Sequence, residues 1–221
     1  MKHALVVATT NRGKLAELRH LLAGLDVEVL SIADVSKKPI HVVEDGATFE
    51  ANAIKKARAV ASATMMLTLA DDSGLEVDAL GGQPGVRSAR FAGERATDAE
   101  NNAALLAALD ALPEHMRASD FAARFRCVLA LVDPFVRDGD PFVVEGTCPG
   151  KITRTPRGSS GFGYDPLFVV EGTDTTLAEL SEEEKNRVSH RSRAMQKLRL
   201  TLEKALAARD ELTSAVVDGP R

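Results

Sequence analysis

The sequence has little cysteine and few aromatic residues: its 221 residues include two cysteines, one tyrosine, eight phenylalanines and no tryptophan. Cys127 and Cys148 both lie in apolar, β-like stretches, where a buried free thiol is the usual state. A disulfide framework is typical of smaller secreted domains that are richer in cysteine. We therefore expect two reduced thiols and a cytoplasmic protein.

Long apolar runs and an excess of positive charge are also missing. No segment approaches the roughly 20 apolar residues that a membrane-spanning helix needs, and the first apolar run is too short for a signal peptide. Lysine and arginine number 28 against 32 aspartate and glutamate residues, which gives a net charge of -4. A protein that binds nucleic acid along a broad basic face carries the opposite sign. The composition thus predicts neither a membrane nor a nucleic acid as partner.

What the sequence does contain is the mixture of short apolar strands and helical segments that an α/β domain needs. Hydrophobic residues make up 44% of the chain, enough for one domain with a full core. Strands are predicted over 3–8, 27–32, 65–70, 121–131 and 142–148, and helices over 15–24, 48–63, 97–112 and a closing segment that includes Leu206. Residues 1–208 are predicted to form the single domain, and residues 209–221 a polar, frayed tail.

Two of these predictions rest on specific patterns. Apolar side chains recur at period two along the fourth strand, which predicts a long strand with one buried face; they are Phe121, Ala123, Phe125, Cys127, Leu129 and Leu131. Thr97 and Glu100 have the spacing of a capping box, which predicts that a helix begins there.

The first candidate for a binding site is the turn TTNRGK at residues 9–14, between the first strand and the first helix. Such a turn presents free backbone N–H groups and the positive end of the helix to an anion. Gly13 would let a phosphate approach closely, and Lys14 would add a point charge. The turn is not a Walker A loop, because Leu15 stands where that loop has Ser or Thr. An ordinary helix start with a solvated lysine is the alternative.

The second candidate is the pair Asp71 and Asp72, which follows the apolar run 65–70. Adjacent carboxylates after a buried strand are costly unless they are hydrated, paired or bound to metal. Because side chains alternate at a strand end, we expect one carboxylate to face a cleft and the other to brace the turn. Such oxygen ligands suit Mg²⁺. A turn or helix cap without ligand is the alternative, and Glu44 by itself is a solvated loop acid.

The third candidate is the glycine-rich segment 158–166, in which Phe162 and Tyr164 flank Gly163. An aromatic ring beside an exposed, flexible backbone can serve as a shelf for a base. A glycine loop pinned by core aromatics is the alternative.

The fourth candidate is the segment 185–191. It supplies fixed positive charges and the tunable imidazole of His190, a combination that suits phosphate binding. Ion pairing of Lys185 with the preceding acidic run on a helix is the alternative.

Together and in this order, these segments resemble the noncanonical purine NTP pyrophosphatases, the inosine triphosphatase or Ham1 family. The resemblance runs from about Leu5 to Leu198 and rests on TTNRGK (9–14), LADDSGLEVDALGGQPGVRSARFAG (69–93), GFGYDPLF (161–168) and EEKNRVSHR (183–191). Four spaced matches are far more specific than any single loop. The departures are Arg12 in the first loop, the choice of Phe91 as aromatic and the tail after Ala208, and none touches the expected chemistry.

The resemblance implies both a fold and a reaction. The fold would be α/β, with an elongated mixed β-sheet flanked by helices and two lobes around a central cleft, and the protein would work as a homodimer. The enzyme would use Mg²⁺ to hydrolyse inosine, deoxyinosine and xanthosine triphosphates (ITP, dITP and XTP) to nucleoside monophosphate and pyrophosphate. Its role would be to cleanse the nucleotide pool.

The resemblance also implies roles for the candidate residues. Asp72 would be the catalytic carboxylate and, with Glu44, a ligand of Mg²⁺, while Ser73 would contact the substrate. The remaining substrate-binding residues would be Thr9, Thr10, Asn11, Arg12, Gly13 and Lys14 for the triphosphate, Phe162, Gly163, Tyr164 and Asp165 for the base, and Lys185, His190 and Arg191 to complete the pocket.

Three other functions compete with this interpretation. A Nudix hydrolase is disfavoured, because the sequence has no glycine-led box with its closing acidic pairs. A Maf-like hydrolase would favour pyrimidine or methylated nucleotides. A nucleotide sensor without turnover conflicts with Asp72, since a carboxylate repels a triphosphate unless a metal lies between them.

Overall fold

The computed structural model describes residues 2–116, 121–136 and 139–217, with side chains up to Glu211 in the last helix. Its strands are β1 (His3–Val7), β2 (Val27–Ser31), β3 (Thr68–Val77), β4 (Phe121–Val132), β5 (Phe142–Ile152) and β6 (Phe168–Val170). Its helices are α1 (Arg12–Leu21), α2 (Ile32–Val35), α3 (Phe49–Thr64), α4 (Asp98–Asp110), α5 (Glu182–Val188) and α6 (His190–Val217). No helix in these ranges combines the length and hydropathy that a bilayer crossing requires.

The six strands form one mixed sheet in the order β2-β1-β3-β4-β5-β6. The first three of these run parallel, as expected for strands joined by helical crossovers. From β3 onward each neighbour is antiparallel. The α/β class and the mixed sheet predicted from the sequence are therefore confirmed.

The sheet carries a hydrophobic core on each face, and its long strands extend into a third core. On one face of the sheet, α1 and α6 pack over β1, β2 and the second half of β4, while α3 covers the opposite face. A separate core forms around α4 and the first half of β4. On β4 the change of core falls between Phe125 and Cys127, which pair with Leu75 and Ser73 of β3. The two lobes thus meet near the carboxylates of β3.

The predicted end of the third strand is wrong. The sequence predicted that it stops at Ala70, but β3 continues through Asp71, Asp72 and Ser73 to Val77. The physical reason is β4, which pairs with all ten residues of β3 in antiparallel register and satisfies their backbone groups. The two carboxylates therefore lie within a sheet, and the alternation of side chains places them on opposite faces.

Helix α6 also extends further than predicted. Residues 209–217, which the sequence placed in the polar tail, prolong this helix to Val217. Arg209 donates hydrogen bonds to both carboxylate oxygens of Asp133 at 2.6 and 2.7 Å, and Asp210 lies 3.1 Å from the imidazole of His3. These contacts tie the added turns to the sheet. The last four residues lie outside the described ranges.

Candidate active site

Two cavities meet at the β1–α1 turn. The larger, of about 1280 Å³, is called the acidic cavity and includes Glu44, Lys56 and Asp72 in its lining. The smaller, of about 590 Å³, is called the aromatic cavity and is lined by residues that include Phe125, Phe162, Tyr164 and His190. Both cavities are lined by Asn11, Lys14, Ser73 and Ala89. A single elongated ligand could therefore occupy both cavities by crossing this junction.

The structure brings most of the predicted site residues to these cavities. Those that line the acidic cavity are Thr9, Thr10, Asn11, Lys14, Glu44, Asp72 and Ser73. Those that line the aromatic cavity are Asn11, Lys14, Ser73, Phe162, Gly163, Tyr164, Asp165, Lys185, His190 and Arg191. Of the predicted set, only Arg12, exposed on the first turn of α1, and Gly13 line neither cavity.

The β1–α1 turn is fixed by its own side chains. The side chain of Asn11 caps α1 by accepting from the backbone N–H of Lys14 at 3.0 Å, which satisfies a free donor of the first helical turn. Gly13 has a packing role besides the one expected of it: a Cβ atom there would lie 2.5 Å from the ring of Phe162. The absence of that atom thus makes room for an aromatic ring, and the turn packs directly on the segment that carries Phe162.

Asp71 lies on the face of β3 that packs toward α1 and α6, and it is fully buried. One carboxylate oxygen contacts the ammonium of Lys14 at 2.7 Å and accepts from the hydroxyl of Ser73 at 2.9 Å. The other accepts from Arg191 at 2.7 Å and from the Cys127 thiol at 3.1 Å. Burial alone would raise the pKa of Asp71, but Arg191 and Lys14 hold it well below its ordinary value. Asp71 is therefore ionised and fully partnered.

The ion pairs continue from Asp71 to the aromatic segment. Arg191 also pairs with Glu17, and Glu17 lies 2.6 Å from the ammonium of Lys185. Lys185 contacts Asp165 at 2.7 Å, and the same oxygen of Asp165 accepts from the backbone N–H of Phe162 at 3.0 Å. The cations expected to complete a phosphate site are thus already paired, and both lie over the ring of Phe162, at 5.0 and 5.9 Å.

Asp72 lies on the opposite face of β3, toward α3. The ammonium of Lys56 donates to Asp72 at 2.7 Å, to Glu44 at 2.8 Å and to the backbone carbonyl of Asp71 at 2.7 Å. Burial raises the pKa of Asp72, and the facing carboxylate of Glu44 adds to that rise, against the effect of Lys56. The pKa of Glu44 is lowered instead, because Lys56 outweighs its partial burial. Two carboxylates therefore share one ammonium.

Lys56 is a residue that the sequence analysis missed. It is buried on the same face of α3 as Asn52, Ala53, Ala57 and Val60. A lysine and an asparagine at three- and four-residue spacing within a small, apolar helix face were the available signal, since lysine is rarely buried without a partner.

The donor set of the acidic cavity fits a hard divalent cation. Glu44 and Asp72 offer carboxylate oxygens around a single ammonium, and Mg²⁺ usually takes one or two protein carboxylates and completes its shell with water and phosphate. Nowhere in the described residues do three or more His, Cys, Asp or Glu side chains form a metal-binding group. A cation here would therefore depend on a ligand for part of its coordination.

His190 forms one wall of the aromatic cavity. Its imidazole stacks on the ring of Phe125, with centroids 4.8 Å apart and planes 13° from parallel. Burial and the nearby charge of Arg191 hold the pKa of His190 well below its usual range. Among the described residues, none bonds to its buried Nδ1 atom. A neutral imidazole with an unused ring nitrogen can recognise a polar ligand edge as donor or acceptor.

Comparison with known proteins places this geometry in a family. The model of the Ham1 family matches residues 5–201. A dITP/XTP pyrophosphatase of Lactobacillus acidophilus is 46% identical over 200 residues, which cover 90% of this chain and 96% of that protein. One from Geobacter sulfurreducens is 51% identical over 191 residues, which cover 86% of this chain and 92% of that protein.

Solved structures of Ham1 proteins have the same fold as this chain. A HAM1 protein from Coxiella burnetii superposes with a TM-score of 0.79 at 43% identity, covering 92% of this chain and 100% of that chain. The Ham1 protein of Staphylococcus aureus gives a TM-score of 0.77 at 39% identity, with coverages of 91% and 99%. The matched residues include both cavities and the junction between them. This chain is a member of the Ham1 family.

Proposed function

We propose that this protein hydrolyses the noncanonical purine nucleoside triphosphates ITP, dITP and XTP to nucleoside monophosphate and pyrophosphate, and so cleanses the nucleotide pool. The observation that carries the proposal is the junction of the two cavities at Asn11, Lys14 and Ser73. It allows one nucleotide to place its base among aromatic rings and its phosphates beside two carboxylates. The relatives from Lactobacillus acidophilus and Geobacter sulfurreducens are dITP/XTP pyrophosphatases by name, which supports the same substrates.

The aromatic cavity supports recognition of a 6-oxo purine. The ring of Phe162 lies against the cations of Lys185 and Arg191, where a purine could stack. Donors of Arg191 and the neutral imidazole of His190 would meet the O6 atom of hypoxanthine or xanthine. The amino group of adenine would leave such donors unpaired, which is enough for about 100-fold discrimination.

The acidic cavity needs more positive charge than the protein supplies. The ion pairs around Asp72 and those that run from Asp71 to Asp165 together join four cations to five carboxylates. The cations are Lys14, Lys56, Lys185 and Arg191, and the carboxylates are Glu17, Glu44, Asp71, Asp72 and Asp165. A triphosphate adds about four negative charges. We propose that Glu44 and Asp72 hold Mg²⁺, which when bound would neutralise phosphate oxygens and lower the pKa of a coordinated water.

Different residues of this chain would then act on the attacking water and on the leaving group. Asp72 would orient the attacking water toward the α-phosphorus at the junction of the cavities, and Lys56 would hold Asp72 in place. The N-terminus of α1 and Lys14 would stabilise the charge that develops on the leaving pyrophosphate. The sequence placed Lys185 in a segment suited to phosphate binding, but Lys185 lines the aromatic cavity, whereas Lys56 lines the acidic cavity. We therefore propose Lys56, beside Lys14, as the second cation near the phosphates.

Release of pyrophosphate from ITP tests the proposal. With Mg²⁺ we expect turnover that a chelator abolishes, and at least about 100-fold lower kcat/KM for ATP. Preference for pyrimidine or methylated nucleotides would indicate a Maf-like enzyme instead. Tight binding of ITP without turnover would indicate a sensor.

We also propose that the protein is a cytoplasmic homodimer, on the strength of the family resemblance. The chain mass is 23.6 kDa. Light scattering of the eluted protein should therefore give twice this mass, and the single-chain mass would contradict the dimer.

A further inference from the structure

The first two turns of α4 hold the segment that carries the aromatic rings. The carboxylate of Asp98 accepts from the backbone N–H of Gly163 at 2.8 Å. The side-chain amide of Asn102, one helical turn later, donates to the backbone carbonyl of Gly163 at 2.9 Å. Both polar backbone groups of one residue are therefore bound by one helix. Gly163 has φ of +63°, a left-handed conformation that glycine adopts readily, and it lies between the two aromatic residues Phe162 and Tyr164.

The same helix also holds a second segment that lines the aromatic cavity. Asn101 is buried. Its amide donates to the carbonyl of Ala89 at 3.2 Å, and its carbonyl oxygen accepts from the N–H of Ala92 at 2.9 Å. Ala89, like Gly163, lines the cavity. Helix α4 thus bonds to two segments that line the cavity. None of these bonds involves the ion pairs of Asp71 and Arg191.

Helix α4 does not depend on these contacts to fold. Its start is capped by the reciprocal bonds of Thr97 and Glu100, and Leu105 and Leu109 anchor it in the core. Asp98 is exposed to solvent and lies at the rim of the aromatic cavity, which it helps to line. The bonds to Gly163 therefore act on the aromatic segment more than on the helix.

We infer that Asp98 and Asn102 are positioning residues for the base: they hold Gly163, and through it the rings of Phe162 and Tyr164, against the wall formed by His190. The inference rests on the proposed function for its substrate. Because the base is remote from the bond that breaks, loss of either contact should weaken ground-state and transition-state binding alike. The effect should therefore appear in KM and leave kcat nearly unchanged.

The first test compares substitutions that remove or keep the acceptor at residue 98. We expect Asp98→Ala to raise KM for ITP about tenfold, the scale of one hydrogen bond to a charged group. Asp98→Asn keeps an acceptor oxygen and should remain within about twofold of the wild type in KM and kcat. Asp110→Ala is the matched control, since this exposed carboxylate at the far end of α4 pairs with Arg154, away from the aromatic segment.

The second test needs no substrate. Tyr164 is the only tyrosine and the chain has no tryptophan, so intrinsic fluorescence reports on this segment alone. The ring is buried, and its hydroxyl donates to the carbonyl of Ser88 at 2.8 Å. We expect acrylamide to quench Tyr164 more strongly in Asp98→Ala and Asn102→Ala than in the wild type, Asp98→Asn or Asp110→Ala.

The two readouts separate the inference from the proposed function. Unchanged KM for Asp98→Ala overturns the inference, whatever the fluorescence shows, and so does a fall confined to kcat. If the wild type hydrolyses no nucleotide, the proposed function fails, and quenching alone decides whether Asp98 and Asn102 position the segment. Should Asp98→Ala fail to fold, Asn102→Ala carries the same expectation, because it removes only the bond to the carbonyl of Gly163.

Discussion

Asp71 and Asp72 are neighbours with the same side chain, yet they lie on opposite faces of β3 and differ in their ion-pair partners and in the direction of their pKa shifts. Asp71 has four side-chain partners, two of them cations, and its pKa lies well below the ordinary value. Asp72 shares the single cation Lys56 with Glu44, and its pKa is raised by burial. Both carboxylates are buried. The difference therefore comes from compensation of charge and not from depth alone.

This difference teaches which carboxylate is available for chemistry. A fully partnered carboxylate has no free lone pair to offer a ligand, so Asp71 stabilises the fold and orients Lys14, Ser73 and Arg191. A carboxylate with a raised pKa in a cavity is a candidate for function. Asp72 meets that description, and the face toward α3 is where we place the reaction.

The largest effect on stability should come from removing the charge of Asp71. Asp71→Asn leaves Arg191 and Lys14 without their shared anion, and loss of one partner of a buried pair costs about 3–5 kcal/mol. We expect that loss in the free energy of unfolding measured with denaturant. Asp72→Asn should cause a smaller loss, because Lys56 keeps Glu44 as its anion and burial already disfavours the charge of Asp72. Equal destabilisation by both substitutions would contradict the assignment of stability to one face.

Asp72→Asn should instead abolish most of the activity. We expect kcat for ITP to fall at least about 100-fold, the scale of a lost acid–base group or metal ligand, while the protein remains folded. A folded Asp71→Asn protein should lose less in kcat. If folded Asp72→Asn protein turns over ITP like the wild type, Asp72 has no part in the reaction.

Lys14 connects the Asp71 ion pairs with the proposed reaction site, since it pairs with Asp71 and lines both cavities. Lys14→Ala should raise KM for ITP about tenfold, with a smaller change in kcat, because a point charge on phosphate acts in ground and transition states alike. The exposed Lys37 provides the control, and Lys37→Ala should leave both constants unchanged. A steady KM with a reduced kcat would make Lys14 a transition-state group.

The smallest effect concerns His190, on the Asp71 side. The pKa of His190 is lowered by burial, so the folded imidazole stays neutral while the unfolded one binds a proton below about pH 6.5. Its contribution to stability is complete above that pH and is lost as the pH falls. Relative to His190→Gln, the wild type should lose about 1 kcal/mol of unfolding free energy per pH unit between about pH 6 and 5. Parallel stability curves for the two proteins would show that His190 is protonated in the fold.

Much of the local structure could be predicted from the sequence because local rules decide it. The period-two pattern from Phe121 to Leu131 correctly predicted β4, although only its first half has one buried face and both faces are buried from Cys127 onward. The capping box of Thr97 and Glu100 correctly placed the start of α4. Both cysteines are buried and free, as expected.

What could not be predicted depends on contacts between distant parts of the chain. The end of β3 is set by pairing with β4: its last residue, Val77, pairs with Ala123, which lies far along the chain. The packing of Phe162 against Gly13, where a Cβ atom would not fit, joins residues far apart in the sequence. Asp98 and Asn102 contact Gly163 across more than 60 residues, and on an exposed helix turn neither residue type signals such a role. The metal and the roles of the site residues remain predictions.

Hydrolysis of ITP in water labelled with heavy oxygen tests most directly whether the reaction occurs at the junction beside Asp72. The base would lie in the aromatic cavity and the β- and γ-phosphates at the N-terminus of α1, so the α-phosphorus would lie between them, within reach of a water oriented by Asp72. We expect phosphorus NMR to show inosine monophosphate carrying the label and unlabelled pyrophosphate as the first products. Label in the pyrophosphate, or inosine diphosphate with orthophosphate as first products, would contradict this placement.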